Sequence, residues 1–315
     1  MTTYVGIDLG ATRVKAGLVN EHNAITREHS IWLHEYEKNP SDILDILKNL
    51  VDAVVKRAKP EAVGIGVPGV IDRRTGVVCR SPNYPEFSNF EMRERLAQVL
   101  GCPVTIDNDA NCVIAGEYLG GVAQGRSDLI GLTLGTGVGG AIILDGKLWR
   151  GVRGMAGEFG HVVADPNGQF CKTTGVRGQL EMYPSLVGLR EMCRTFPVPG
   201  IDPENPDLPR ALAEKARAGD RTAIGHFQTA GKCLGRVLGG LLNIFDVKTI
   251  LLTGGIAPAY DLMERTTLEN LSQVVYPEIL DGAQILIGDM GERAGILGAA
   301  MNWKLDGASQ AQKTT

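Results

Sequence analysis

The sequence has no hydrophobic run long enough to cross a bilayer. Its longest uncharged apolar stretch toward the C-terminal half, Val237 to Phe245, falls far short of the roughly 20 residues required. A basic leader and a cleavage site are also missing, because Met1 runs straight into the strand-like YVGID. Neither membrane spanning nor secretion is expected, and the expected compartment is cytoplasmic. Excess positive charge is absent: 32 Lys plus Arg against 36 Asp plus Glu give a net charge of −4, with a pI near 5.8. No global basic field is therefore available to hold nucleic acid. The six cysteines (79, 102, 112, 171, 193 and 233) form no CxxC pair, so no disulfide framework is expected. Most read as small buried hydrophobes. No GK[ST] follows a glycine loop, which removes the Walker A class.

What the chain has in excess is glycine. Forty-one of 315 residues is nearly twice the usual share of about 7%, and they cluster. Glycine is needed where a backbone turns with positive φ or closely approaches a ligand. The clustering favours an enzyme that handles its ligand through main-chain groups. A length of 315 residues predicts about two domains.

Strands and helices alternate along the chain. YVGID (4–8) and RVKAGLV (13–19) read as strands around the turn LGAT. Ile43, Leu44, Leu47, Leu50, Val51, Val54 and Val55 share a helical face, with Ser41 the expected N-cap and Pro60 the end. A buried strand follows at 62–68, and another lies near Val77. Ser88 and Glu91 have capping-box spacing before a helix to Leu100. The strand VTID (104–107) leads into a helix from about Asp109 to Leu119. A second unit then starts as the first did, with strands at 129–135 and 140–146 around glycines. DLGAT (8–12) and TLGTG (133–137) play the same local part, which suggests a duplicated domain. An irregular stretch runs from 150 to about 181. After a proline-rich loop, Pro197 to Pro209, come helices at 209–218 and 221–245 and strands at 249–255 and 284–289. A helix spans Gly295 to Trp303. The pattern is α/β with mainly parallel pairing. The expected domains are 1–118 and 119–305, with the helix at about 292–304 packing back on the first and a disordered tail at 306–315.

Several residues carry candidate chemistry. Gly135 to Gly140 matches G-x-G-x-x-G formally, but a strand rather than a helix follows it, so the dinucleotide reading fails on context. What remains is two strand–turn–strand loops able to offer N–H groups to phosphate, or two plain hairpins. Asp8 leaves a buried strand at the first loop, where its carboxylate could hold the water shell of Mg²⁺, and Thr12 could donate to phosphate. Lys15 reads equally as a phosphate ligand or an exposed strand residue. Asp109 sits where a strand ends and a helix begins, so the helix dipole favours its carboxylate. It reads as a base for a hydroxyl attacking phosphorus, or as a simple helix cap. Glu158, His161 and Glu181 lie in irregular chain and could orient several hydroxyls. Zinc would need more thiolates or histidines at short spacing than Cys171 alone supplies.

As a set, these segments resemble the ROK family of bacterial sugar kinases. The likeness is carried by GIDLGATRVKAGLV (6–19), GIGVPG with SPN (64–83), IDNDANCVIAGE (106–117), LTLGTGVGGAIILDG (132–146) and AGEFGH (156–161). It continues through LNIFDVKTILLTGG (242–255) and ERAGILGAA (292–300). The resemblance covers nearly the whole chain in order. It implies an α/β, two-domain actin-like ATPase (ribonuclease H-like) fold with an interdomain cleft, and it suggests a homodimer. By residue, it implies Asp109 as general base and Gly69, Asn83, Asn108, Glu158, His161 and Glu181 at the sugar. Asp8, Gly10, Thr12, Thr136 and Gly137 would handle ATP phosphates and Mg²⁺, and Gly254 and Gly255 the adenosine side. The family's CxCGxxGCxE run, which binds zinc with the histidine, departs here: its cysteine positions hold Lys172, Thr174 and Gln179. No structural zinc is expected.

The resemblance implies an ATP-dependent hexose kinase acting on O6, with glucose first and N-acetylmannosamine, fructose or glucosamine as alternatives. A sugar-sensing repressor is disfavoured, since three residues before Tyr4 leave no room for a helix-turn-helix. A switching ATPase is a third reading and a member without catalysis a fourth. Asp109 and both phosphate loops speak against the last.

Overall fold

A computed structural model of the chain describes residues 2–56 and 59–306. In the first part, β1 (Thr3–Leu9), β2 (Arg13–Asn20) and β3 (Ile25–Trp32) are followed by α1 (Pro40–Val55) and β4 (Ala62–Val67). A small hairpin, β5 (Val70–Asp72) and β6 (Val77–Arg80), precedes α2 (Met92–Leu100), β7 (Val104–Asn108) and α3 (Asp109–Gly120). The main sheet has the order β3-β2-β1-β4-β7. Its β3-β2-β1 side is antiparallel, and β1, β4 and β7 run parallel.

The next strands are β8 (Leu129–Leu134), β9 (Val138–Leu144) and β10 (Lys147–Trp149). Helices α4 (Leu186–Thr195), α5 (Leu208–Arg217) and α6 (Arg221–Phe245) lead to β11 (Thr249–Thr253). Then come α7 (Glu264–Ser272), the single turn α8 (Pro277–Leu280), β12 (Gln284–Ile287) and α9 (Arg293–Met301). The second sheet, β10-β9-β8-β11-β12, repeats the layout of the first, with a hairpin on one side and parallel strands on the other.

The chain forms two compact units. The first comprises the described residues up to Ser127, Ala141–Ala156 and those from Asp289 onward; the second comprises Asp128–Gly140 and Gly157–Gly288. A boundary between 118 and 119 would cut α3, which runs on to Gly120. Asp306, expected in a disordered tail, is buried in ion pairs; residues 307–315 lie outside the described residues.

In the first unit the apolar face of α1 (Ile43, Leu47, Leu50, Val51, Val54) is buried in one core cluster with Val5, Ile7, Val63 and Ile65 of the sheet. Each such side chain contributes about 1.5–3 kcal/mol. The helix begins two residues earlier than the Ser41 cap implied. Asn39 Oδ1 accepts from Asp42 N at 2.9 Å, because Pro40 at the first helical position has no N–H to satisfy and a preset φ. The Ser88–Glu91 capping box does not form: α2 starts at Met92 with no side-chain cap, and Ser88 Oγ donates to Cys79 O at 3.4 Å instead. Helices α4 and α7 and strand β3 were not expected from the sequence. Five of the eight residues of β3 are charged or polar and none is fully buried, so its alternation carries little hydrophobic contrast.

Every residue of α9 from Ala294 to Met301 is buried, as a helix apolar on all sides must be. It seats unusually deeply. A Cβ on Gly64 of β4 would lie 1.7 Å from Ala299 O, and one on Gly298 of α9 would lie 1.7 Å from Cys112 O of α3. Backbone meets backbone, and only glycine permits it. Gly64→Ala should therefore destabilise the protein by about 3 kcal/mol or more, read as a lower urea midpoint at unchanged m-value.

Candidate active site

In the first unit the candidate residues gather at the carboxyl ends of the parallel strands, where open α/β sheets place ligands. Cross-strand register puts Asp8 of β1 beside Gly66 of β4, and Gly66 beside Asp107 of β7. Asp8 is held by Lys15, its cross-strand partner, at 3.3 Å, and Lys15 also pairs with Glu292 at 3.2 Å. The structure thus makes Lys15 an ion-pair partner of Asp8. Burial pushes the Asp8 carboxyl above its ordinary range, and the Lys15 ammonium opposes that shift. Gly10 closes the loop through its N–H to Arg13 O at 3.1 Å, while its own carbonyl accepts the Tyr84 hydroxyl at 2.6 Å. Tyr84 is fully buried and adjoins half-buried Asn83; Thr12 is exposed.

Asn108 and Asp109 divide two roles that the sequence left open. Asn108 is the N-cap of α3: its Oδ1 accepts from Ala110 N at 2.9 Å and Asn111 N at 3.2 Å. Its Nδ2 donates to Gly69 O at 3.0 Å, which brings Gly69 to this point. Asp109 is therefore the first helical residue rather than the cap, half-buried, with Oδ1 on Ala110 N at 3.0 Å. Its carboxylate thus lies at the positive end of the helix macrodipole.

In the second unit the glycine loop after β8 closes on itself, Gly135 N donating to Gly137 O at 3.0 Å. The first amides of α4, Leu186 and Val187, donate to Gly135 O at 2.9 Å and Thr136 O at 3.2 Å. This satisfies donors that every helix start leaves over. Glu181 Oε2 accepts from Val138 N at 3.2 Å, and a Cβ on Gly137 would sit 2.1 Å from that oxygen. The expected sugar residue Glu181 is thus tied to the expected phosphate loop. Gly254 and Gly255 follow the neighbouring parallel strand β11, and Ile256 N donates to Leu134 O at 2.9 Å. The loops after β8 and β11 are thereby joined.

Glu158 and His161 lie 3.8 Å apart and are about half exposed. His161 and Glu181 flank a short paired segment in which Leu180 N donates to Val162 O at 2.8 Å. Gln179, in one of the positions where cysteine was expected of the family, is buried. It accepts from Thr174 Oγ1 at 2.5 Å and donates to His161 O at 3.1 Å. Among the described residues no group of three or more His, Cys, Asp and Glu could hold a metal. Mg²⁺ does not need one: it takes one or two carboxylates plus phosphate oxygens and waters. Asp8, a single hard oxygen donor beside a phosphate-type loop, fits that requirement.

Sequence reasoning missed Tyr84, Asp107 and Arg150, and marked Gln179 only as the replacement of a family cysteine. Asp107 could have been suspected as an acidic residue in a buried strand. Arg150 gave no signal, because its partners lie 43 and 156 residues away.

Fold and site together define a duplicated α/β protein with glycine loops at the ends of its parallel strands, the actin-like ATPase fold. The ROK family model matches residues 4–305. The chain belongs to that family. It is 32% identical to a glucokinase of Thermotoga maritima, over 94% of this chain and 95% of that protein. A ROK family glucokinase from Streptomyces griseus, solved with glucose and AMPPNP, superposes with a TM-score of 0.78 at 30% identity, covering 95% of this chain and 98% of that one. The ROK hexokinase from Thermus thermophilus gives 0.81 at 29% identity, covering 96% and 97%. No described helix is long and apolar enough to cross a membrane.

Two outcomes follow from this geometry. Asp8 ionises less readily folded than unfolded. Above its ordinary value of 3.8 the folded state therefore keeps a proton that the unfolded state has released. Stability contributed by this group falls as pH rises through that window, and at neutral pH the ionised carboxylate is a net cost. Asp8→Asn should raise Tm by a few degrees at pH 7, with the difference vanishing in acid below the unfolded value. Gln179→Leu, of similar volume, should destabilise by about 1–2 kcal/mol through the lost hydrogen bonds, measured by urea denaturation.

Proposed function

We propose that this ATP-dependent sugar kinase transfers the γ-phosphoryl group to O6 of a hexose, glucose first, with Asp109 as general base. The observation that carries the reading is the division of labour at the start of α3. Asn108 caps the helix, and the Asp109 carboxylate stands at the positive end of the dipole with one oxygen on Ala110 N. A positioned, ionised carboxylate suits a step that is mostly positioning and charge stabilisation.

The sugar hydroxyl oxygen attacks the γ-phosphorus and forms the new P–O bond. Its proton passes to a carboxylate oxygen of Asp109, and the bond to the bridging oxygen of ADP breaks. Asn83, Asn108, Glu158, His161 and Glu181 hold the sugar hydroxyls, with Gly69 beside them. Backbone amides around Gly10 and Gly137, with Thr12 and Thr136, take phosphate oxygens, and Gly254 and Gly255 line the adenosine side. Asp8 would hold Mg²⁺ through water, and the ion would offset phosphate charge. Support comes from the glucokinase relatives and from the structure solved with glucose and AMPPNP.

ADP release with Mg-ATP is to be measured against glucose, fructose, glucosamine, N-acetylglucosamine and N-acetylmannosamine. Glucose should give the largest kcat/KM. Asp109→Asn should lower sugar-dependent kcat by about 10²–10⁴ while glucose binding, followed by calorimetry, persists. Turnover unchanged in that variant would remove Asp109 from the chemistry. No stimulation by any hexose would overturn the substrate class.

A further inference from the structure

Two residues before Asp109, Asp107 enters a buried charge network that the proposed chemistry does not use. Asp107 has 4% of its side chain exposed, Arg150 5% and Asp306 3%. Asp107 Oδ2 accepts from Arg150 Nε at 2.8 Å and Asn302 Nδ2 at 3.0 Å. Arg150 Nη1 reaches Asp306 Oδ1 at 2.8 Å. Arg73 adds a second cation, with Nη2 at 2.8 Å from Asp306 and Nε in a looser ion pair at 3.4 Å from Asp107 that makes no hydrogen bond. Two carboxylates and two guanidiniums thus balance in charge.

The other oxygen of Asp107 holds the turn that carries the candidate base. Its Oδ1 accepts from the Asn108 backbone N at 2.9 Å and from Asn111 Nδ2 at 2.9 Å. The carboxylate thereby clamps the strand-to-helix turn on both sides of Asp109. Stability alone explains such a network poorly. Buried ion pairs seldom outperform apolar packing, and here Arg73 Nε, Arg150 Nη2, Asn111 Oδ1 and Asn302 Oδ1 have no hydrogen-bond partner among the described residues. What the network does supply is a fixed orientation for residues 107–111.

We propose that Asp306 is a positioning residue for Asp109: by pairing with Arg150 and Arg73 it aims their guanidiniums at Asp107, which holds the turn carrying the base. Residues far apart in sequence thus set the geometry of one carboxylate. The inference rests on Asp109 being the base.

A double-mutant cycle in the full-length protein tests it, with kcat and both KM values measured for wild type, Asp306→Asn, Asp109→Asn and the double variant. Asp306→Asn alone should lower kcat on the order of 10- to 100-fold, the scale of a misplaced catalytic group, and leave KM for ATP within about twofold. In the Asp109→Asn background it should have no further effect, because no base remains to be positioned. Additive losses would show a merely structural role and overturn the proposal. So would an unchanged kcat in Asp306→Asn. Full activity in Asp109→Asn would instead defeat the base assignment itself, a separate outcome. Should Asp306→Asn fail to fold by circular dichroism, Arg73→Gln goes through the same cycle, since Arg73 stands at the rim with 14% of its side chain exposed. Asp306→Glu, which keeps the charge, should recover most of the lost kcat.

Discussion

Helix α9 sits against its unit with almost no side chain between backbones, and much of the first unit follows from that seating. Gly64 and Gly298 have no room for a methyl group against α9 and α3. The strands behind the helix cannot move without lifting it. Because β1, β4 and β7 are registered to one another, the helix fixes the level at which their carboxyl ends stop. Asp8 and Asp107 occupy one row across those ends. Tight interiors transmit displacement rather than absorb it, so seating the helix also places the groups proposed for chemistry.

The second unit reaches a comparable result by other means. Its glycine turn is held by the first amides of α4 and by Glu181, and the loop after β11 is tied to the end of β8. The segment carrying His161 and Glu181 is braced by hydrogen bonds through Gln179. A network of neutral hydrogen bonds needs no metal and responds little to redox conditions. It is also weaker per contact than thiolate coordination, so the packing around it carries more of the load.

The parts of the fold legible in the sequence were those with strong period or strong punctuation. Alternation and apolar runs marked β1, β2, β4, β8 and β11, and the spacing of Ile43, Leu47, Leu50 and Val54 marked α1. Strand β3 escaped because its residues face water on much of their surface. Helix α4 escaped although Leu189, Met192 and Cys193 share a buried face: at ten residues the pattern is short, and its start is signed by Ser185, whose hydroxyl accepts from Gly188 N at 2.9 Å. At the candidate site, local order was readable and partnership was not. Glycine spacing gave the turn at 135–137, and the strand-to-helix junction singled out Asp109. That Asn108 rather than Asp109 caps the helix depends on two side-chain torsions. That Lys15 faces Asp8 depends on strand register. The ring of Arg73, Asp107, Arg150 and Asp306 is assembled from four separated segments, each of which reads alone as an ordinary charged residue.

That ring has a consequence for how the protein is made. Ribosomes deliver the chain from its N-terminus at about 5–20 residues per second, so about 200 residues and 10–40 s separate the emergence of Asp107 from that of Asp306. Throughout that interval the first sheet lacks α9 and its carboxylate lacks the ring that neutralises it. The second unit, whose residues lie between, can be complete before the first has closed. Contacts of such long sequence separation form late and slowly, and a nascent chain stalled before residue 289 would expose the apolar face that α9 covers.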